Sequence, residues 1–293
     1  MQKIKPCLWF NNQAEEAVNF YTGLFKNSKI TDITRNTEGS PAGAPGTVLT
    51  IGFTLEGYQF MALNGGPEFT INPSISFFVH CNTADEVEAL WNKLSDGGTA
   101  RMPLDKYPFS DKYGWIEDKF GVSWQLILPK GEAPQKIMPC LLFVGKVAGK
   151  AEEAISFYTS IFHDAKVGYI ARYDAGMQPD KEGTVMYSDF SLEGEWFAAM
   201  DSAREHNYTF NEGISLVVTC KKQDEVNYYW DKLSEGRQQV ECGWLKDKYG
   251  VAWQVVPAVL PKLLQEKDAE KAKRVMQAML KMKKLEIAGL EEA

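Results

Sequence analysis

The chain has 293 residues, of which 44% are hydrophobic and 12% aromatic, and its formal net charge at pH 7 is -7. This composition can bury a sizeable core, and the length corresponds to about two domains. The acidic balance, with no basic run before the C-terminal tail, argues against nucleic acid as the main partner, because phosphate binding needs clustered Lys and Arg. No segment resembles a signal peptide or the roughly 20 apolar residues that span a bilayer. We therefore expect a cytoplasmic protein that binds neither nucleic acid nor membrane.

The cysteines favour a reduced protein. Five are present, at positions 7, 81, 140, 220 and 242, and no two form a CxxC pair. The first four fall into two pairs that occupy corresponding apolar strands of a repeat described below. Buried free thiols are therefore expected, and disulfides or a zinc cluster are not.

The first half of the chain begins with a predicted strand at residues 2–10. Apolar residues recur at helical intervals from Ala14 to Phe25, which predicts a helix. Three further strands are predicted at residues 29–35, 47–55 and 58–63. The Gly- and Pro-rich segment 38–46 is predicted to be a loop.

A second set of elements follows within the same half. A strand is predicted at residues 75–79, and Thr83 is placed to cap a helix that runs to Leu94. The half closes with a hairpin around the turn Asp118-Lys119-Phe120-Gly121. Each half is thus predicted to contain two consecutive units of the order strand, helix, strands.

The chain is a tandem duplication. The stretch WIEDKFGVSWQL at residues 115–126 returns as WLKDKYGVAWQV at residues 244–255. The opening PCLWF returns as PCLLF, and the helix motif AEEA followed by FY also occurs twice. Self-similarity of this kind predicts two structurally equivalent halves, and hence four modules in all.

These motifs, together with the order of elements, resemble the vicinal oxygen chelate (glyoxalase/bleomycin-resistance) superfamily, and more narrowly its PhnB-like branch, which often carries the label 3-demethylubiquinone-9 3-methyltransferase. The resemblance implies an α+β protein of four βαβββ modules in two tandem halves, forming curved-sheet barrels that enclose a cavity. It implies a first half at residues 1–131, a second half at 132–257 and a C-terminal helical tail at 258–293. It does not by itself imply an activity, because one fold hosts many chemistries.

The same resemblance marks four strand positions where enzymes of this superfamily hold a divalent ion. In this sequence they fall on Lys5 and Met138, near Thr50 and Tyr187, on Ser74 and Gly213, and on Gln125 and Gln254. No His, Glu or Cys occupies any of them, and neutral amides and hydroxyls bind divalent ions poorly. We therefore predict no metal and no other cofactor, with Asp189 the nearest possible ligand.

Period-2 alternation along the strands predicts the residues that face the cavity. The predicted ligand-binding residues are Lys5, Cys7, Trp9, Thr50, Ser74, Trp115, Gln125, Cys140, Tyr187, Trp244 and Gln254. For Trp115 and Trp244 two interpretations stay open, namely that they line a ligand cavity or that they cover their hairpins. Trp124 and Trp253 alternate to the other side and are expected to be core anchors.

No catalytic residue is predicted. Cys7 lies beside Lys5 and invites a nucleophile hypothesis, but Cys140 has Met138 in the corresponding place. No histidine accompanies either cysteine in both repeats, so a small buried hydrophobic role is preferred for both. His80, His163 and His206 are scattered, and ligand histidines normally cluster.

The tail departs from the repeat. After Asp268, apolar residues from Ala272 to Met282 form a broad stripe among lysines, which predicts an amphipathic helix. Docking on the protein itself is favoured over a membrane surface or a partner groove.

Three functions are considered. The preferred one is metal-free small-molecule binding in a cavity between paired βαβββ modules, with Gln125 or Gln254 orienting the ligand. The alternative is an enzyme, either a metal-dependent glyoxalase-type lyase, isomerase or dioxygenase, or the labelled methyltransferase. Methyl transfer is disfavoured, because no glycine-rich turn follows the first strand. The third is a scaffold that recruits a partner through the tail helix. Because single-copy relatives generally dimerise, the fused halves are expected to form an intramolecular pseudo-dimer, with further homodimerisation possible.

Overall fold

The computed structural model describes residues 2–40, 42–235, 239–266 and 268–293. Its strands are β1 Ile4–Phe10, β2 Lys29–Arg35, β3 Val48–Leu55, β4 Tyr58–Asn64, β5 Ile75–His80, β6 Thr99–Tyr107, β7 Ser110–Glu117, β8 Ser123–Ile127, β9 Ile137–Phe143, β10 Lys166–Arg172, β11 Val185–Leu192, β12 Glu195–Asp201, β13 Ile214–Cys220, β14 Trp244–Lys246 and β15 Ala252–Pro257. Its helices are α1 Ala14–Leu24, α2 Ala84–Leu94, α3 Ala151–Ile161, α4 Gln223–Ser234, α5 Leu260–Leu264, α6 Ala269–Met279 and α7 Ile287–Glu291, with one 3₁₀ turn at Gly145–Val147. The α+β class and the four-module order predicted above are confirmed. By analogy with the first repeat, the second helix of the second half is expected to end at Glu235-Gly236, and Gly236 lies outside the described residues.

The chain folds into two compact units that do not coincide with the sequence repeats. Unit 1 comprises Met1–Thr70 and Asn211–Ala293, and unit 2 comprises Ile71–Phe210. Each unit therefore combines one βαβββ module from the first half of the chain with one from the second half.

One mixed sheet forms the centre of each unit. In unit 1 the strand order is β14-β15-β13-β1-β4-β3-β2, and in unit 2 it is β10-β11-β12-β9-β5-β8-β7-β6. The two modules of unit 1 are joined by the antiparallel pairing of β1 with β13, and those of unit 2 by the antiparallel pairing of β5 with β9. The central strands come from segments far apart along the chain, so the pairing depends on tertiary structure.

The sheet of unit 1 is strongly curved. Trp9 on β1 and Trp244 on β14 are separated by three strand ladders, which would place them about 14 Å apart on a flat sheet. Their ring centroids are 5.9 Å apart, so the edge strand β14 bends toward the central strand β1. The hydrogen-bond ladders of the described residues nevertheless end at β14 and β2, so the sheet is an open, curved one and not a closed barrel.

The repeated Asp-Lys-aromatic-Gly motif forms the same turn in both units. The carboxylate of Asp118 accepts hydrogen bonds from the backbone N–H groups of Phe120 and Val122 and from the indole Nε1 of Trp124. Trp124 and its repeat equivalent Trp253 have no exposed surface. Both tryptophans therefore serve as core anchors on the convex side, as their alternation predicted.

The tail packs within unit 1. The side chain of Asp268 accepts hydrogen bonds from the backbone of Glu270 and Lys271 and caps α6. The core of the tail consists of Leu260, Leu263, Val275, Leu285 and Leu290. The preferred docking of this helix on the protein is thus confirmed. Among the described residues no helix is long and apolar enough to cross a membrane, and the cytoplasmic location stays a prediction.

Candidate functional site

The predicted ligand-binding residues divide between the two units. Lys5, Cys7, Trp9, Thr50, Trp244 and Gln254 belong to unit 1, and Ser74, Trp115, Gln125, Cys140 and Tyr187 belong to unit 2. We call the concave surface that carries the first set the unit 1 face, and the one that carries the second set the unit 2 face. The last-strand glutamine of each sequence half therefore lies in the same unit as the first-strand cysteine of the other half.

Strand register places several of these side chains in one row across the unit 1 face. Lys5 pairs with Val217, Val217 with Gln254, and Gln254 with Trp244. Residues that are directly paired project to the same side of a sheet. Lys5, Gln254 and Trp244 thus belong to one row across four neighbouring strands, in which Val217 separates Lys5 from Gln254.

A buried trio of cysteine, serine and glutamine lies at the centre of each face. In unit 1, Gln254 Nε2 donates to Ser215 Oγ over 2.9 Å, and both side chains hydrogen-bond with the thiol of Cys7. In unit 2, Gln125 Nε2 donates to Ser76 Oγ over the same distance. Neither serine was predicted from the sequence, although each follows an isoleucine at the start of a repeated strand.

Burial keeps both central thiols protonated. It raises the pKa of Cys7 to about 12, and hydrogen bonds from Gln254 and Ser215 and the charge of Lys5 offset only part of this effect. Burial likewise raises the pKa of Cys140 to about 12. A thiolate is the reactive form of cysteine, so neither residue is set up as a nucleophile at neutral pH.

In unit 2 a phenol, also not predicted from the sequence, hydrogen-bonds with the glutamine of the trio. Tyr113 Oη donates to Gln125 Oε1 over 2.6 Å, and burial raises the pKa of this phenol. Tyr113 lies two residues before Trp115, and the residue two before Trp244 in unit 1 is Cys242. Gln254 consequently has no phenol at the corresponding position and is 5% exposed, compared with 1% for Gln125.

The two hairpin tryptophans differ in their hydrogen bonding. Trp115 Nε1 donates to Ser123 Oγ over 2.6 Å. Ala252 takes the place of Ser123 in unit 1, and the described residues offer Trp244 Nε1 no acceptor. Trp244 instead contacts Trp9 edge-on and leaves its N–H available on the unit 1 face.

The unit 1 face also carries an unpaired cation. Lys5 is half-buried, and no carboxylate of the described residues lies within ion-pairing distance of its Nζ. Its repeat equivalent in unit 2 is Met138, which has no exposed surface. Lys5 and Trp244 therefore provide two hydrogen-bond donors that the unit 2 face lacks.

Each face carries one carboxylate between the last two strands at one edge of its sheet, and neither was among the predicted ligand-binding residues. In unit 1 the carboxylate of Asp32 on β2 fills the space above Gly52 on β3. In unit 2 the arrangement is reversed, because Asp189 on β11 stands at the position of Gly52 and its carboxylate fills the space above Gly168 on β10. A side chain at either glycine would collide with the carboxylate opposite.

The side chains that the two faces offer as ligands do not suit a divalent ion. Among the described residues no three His, Cys, Asp or Glu side chains come together. His80 is buried, bonds through Nδ1 to the carbonyl of Gln135 and has a pKa lowered by burial. An open pocket of about 470 Å³ lies beside His80 and is lined largely by the segment 128–136. It contains none of the predicted ligand-binding residues.

Comparison with known proteins identifies the relatives of this chain. A family model described as 3-demethylubiquinone-9 3-methyltransferase matches residues 2–127 and 135–256. No curated protein matches. The PhnB protein of Bacillus cereus is 46% identical over 43% of this chain and 99% of its own length, with a TM-score of 0.41.

Glyoxalase I of Zea mays shows the relationship at the level of fold. It is 11% identical to this chain, the match covers 90% of this chain and 97% of that one, and the TM-score is 0.54. A mutant form of the same enzyme gives a TM-score of 0.53 over 87% of this chain. The fold implied by the resemblance, that of glyoxalase I, is thus confirmed.

Proposed function

We propose that this chain, which belongs to the family described as 3-demethylubiquinone-9 3-methyltransferase, binds a small organic anion with an apolar body on its unit 1 face. The observation that carries the proposal is the pair of unused donors on this face, Lys5 Nζ and Trp244 Nε1. A half-buried ammonium without a carboxylate partner is costly unless water or a ligand satisfies it. A carboxylate is the simplest group that accepts hydrogen bonds from an ammonium and from an indole N–H alike.

The aromatic rings of the unit 1 face suit an apolar ligand body. Trp9 donates from Nε1 to the carbonyl of Gly66, which fixes its ring, and Phe69 packs edge-on at a centroid distance of 4.9 Å. Trp244 adds a second indole, 5.9 Å from that of Trp9. Fixed aromatic rings contribute a large contact area with little loss of side-chain entropy. The buried Gln254 adds an amide in the same row.

Binding of this kind does not need a metal ion. The superfamily positions of the unit 1 face hold Lys5, Thr50, Gly213 and Gln254, none of which is a strong ligand for a divalent cation. An ammonium at the first of these positions would also repel such a cation. The ligand charge is therefore expected to be balanced by Lys5.

The proposal is tested by titrating benzoate into the protein in buffer containing EDTA and following tryptophan fluorescence and binding heat. We expect saturable binding that is weaker for benzyl alcohol, which has the ring without the charge. Lys5→Met, which installs the residue found at the equivalent position of unit 2, should weaken benzoate binding by about 10- to 150-fold, the value of a charge-assisted hydrogen bond. Lys3→Met is the matched control, because Lys3 is already paired with Glu225 over 3.0 Å.

Two outcomes would refute the proposal. One is equal loss of benzoate affinity in Lys5→Met and Lys3→Met, which would indicate a general effect of net charge. The other is binding that appears only after a divalent metal salt is added, which would favour the metal-dependent alternative. Unchanged melting temperatures would show that both variants are folded.

A further inference from the structure

We infer that the unit 2 face is a second binding site with the opposite charge preference, and that it accepts a small organic cation, an ammonium carried on an apolar or aromatic body. The inference concerns residues of unit 2 alone and does not depend on the proposed function of unit 1. It is carried by the position of Asp189 and by the aromatic side chains around it.

The carboxylate of Asp189 is held in place but not neutralised. Oδ1 accepts the backbone N–H of Tyr169 over 2.8 Å, which fixes the side chain. No Lys, Arg or His of the described residues lies within ion-pairing distance of it. Asp189 is half-buried, and it stands in one row with Ala198 on β12 and Cys140 on β9. This row runs from the edge of the unit 2 face to its centre.

Aromatic rings surround this carboxylate. The space above Gly168 is shared by Asp189 Oδ1 and the edge of the Trp196 ring, so the two groups are neighbours. Tyr187, two residues before Asp189, contacts Phe78 edge-on at a centroid distance of 5.8 Å. Faces of aromatic rings attract cations, and a carboxylate beside them adds the compensating charge.

The Trp196 ring already accepts a cation of the protein itself. Lys166 Nζ lies over this ring at 4.9 Å from its centroid. Lys166 is exposed on the edge strand β10 and does not pair with Asp189. Tyr187 is half-buried, whereas Phe78 behind it is buried and stacked with His80. The Tyr187 ring is therefore the aromatic surface left for a ligand cation, with Asp189 beside it.

The unit 2 face has lost the features that suit an anion. Met138 replaces Lys5, and the N–H of Trp115 is used by Ser123. Burial lowers the pKa of His80, the histidine that stacks on Phe78, and the charge of Asp189 offsets only part of this effect. The two faces of this duplicated protein thus differ in charge while their central trios are the same.

The methionines allow each face to be observed separately. The chain has ten. Met61 pairs with Cys7 on the unit 1 face, whereas Met138 belongs to the core cluster of the unit 2 face and Met200 packs against it. Protein labelled with ¹³C in the methionine methyl groups would be titrated with benzyltrimethylammonium, with benzyl alcohol as the neutral comparison.

We expect benzyltrimethylammonium to shift the Met200 and Met138 methyl signals in a saturable way and to leave Met61 unchanged. Asp189→Asn keeps the acceptor for Tyr169 N–H and should weaken this binding about tenfold or more. The matched control is Asp32→Asn, which removes the corresponding carboxylate of unit 1 and should have no effect. Tyr187→Leu should weaken binding of the ammonium more than that of benzyl alcohol.

The inference is overturned if Asp189→Asn and Asp32→Asn behave alike, if the cation shifts Met61 alone, or if benzyl alcohol binds to the unit 2 face as tightly as the ammonium. Benzoate that fails to shift Met61 would count against the proposed function of unit 1 and not against this site. The two hypotheses therefore fail in distinguishable ways.

Discussion

At the scale of single residues, one aspartate organises the hairpin that closes each sequence repeat. Asp247 Oδ1 accepts from the backbone N–H groups of Tyr249 and Val251, and Oδ2 accepts from Trp253 Nε1, all within 2.9 to 3.0 Å. Asp118 makes the equivalent contacts in unit 2. These contacts explain why the motif occurs in both halves of the chain. The same carboxylate shapes the turn and accepts a hydrogen bond from the only polar atom of a buried indole.

Removal of this carboxylate should be costly. We predict that Asp247→Ala lowers the free energy of unfolding by about 3 kcal/mol, because three buried donors lose a charged acceptor. Asp247→Asn should have an intermediate effect, since its amide oxygen can still accept from the turn while its NH₂ group faces the indole N–H. Urea unfolding followed by fluorescence measures the difference. Equal stability of wild type and Asp247→Ala would show that the turn is held by other contacts.

At the scale of elements, the tail of unit 1 connects two parts of the sheet. Gln265 donates to Thr34 Oγ1 on the edge strand β2. Farther along, the carbonyls of Met282 and Lys283 accept the backbone N–H groups of Cys242 and Gly243, immediately before β14 at the other edge. The tail therefore contacts both edges of the open sheet.

The tail should contribute to the stability of the fold. Leu285 has no exposed surface and packs among the leucines of α5 and α7. We predict that Leu285→Ala lowers the free energy of unfolding by about 2 to 4 kcal/mol, the usual cost of such a cavity. Lys281→Ala, at an exposed position of the same segment, is the control and should change it little. If Leu285→Ala were neutral in chemical denaturation, the scaffold alternative would gain support.

At the scale of the whole molecule, each unit combines a module from the first sequence half with a module from the second. The register of β1 with β13 and that of β5 with β9 each contain five residue pairs. Every such pair joins a residue of the first sequence half to one of the second. A single half therefore lacks the strand neighbours that complete its sheets, and would leave the central strands β1 and β5 with open edges.

We predict that fragments 1–131 and 132–293, produced together in one cell, co-purify as a complex with the tryptophan fluorescence of the intact chain. Produced separately, neither should persist as a folded monomer, because each would expose central strand edges and core residues to water. Size-exclusion chromatography and fluorescence measure both results. A folded, monomeric 1–131 fragment would contradict the pairing of modules described here.

Only part of the candidate site could be predicted from the sequence. Alternation along β1 and β9 predicted the inward position of Cys7 and Cys140, since strand periodicity is a local property. Ser215, Ser76 and Tyr113 were missed, because each becomes relevant only through a partner on another strand. Asp32 and Asp189 were not recognised as counterparts either, because they stand on different strands of the two units and are related through the glycines opposite them. Binding at either face stays a proposal.

The sequence by itself determined the family, the α+β class, the duplication and the order of elements, because these depend on local periodicity and on the repetition of motifs. Only the tertiary structure decided which modules share a sheet and which side chains meet on each concave face. Strand pairing between distant segments depends on the energy of the assembled core, and that energy leaves no local pattern in the chain. The difference in charge between the two faces is therefore visible only once Lys5, Met138 and Asp189 have been placed in their units.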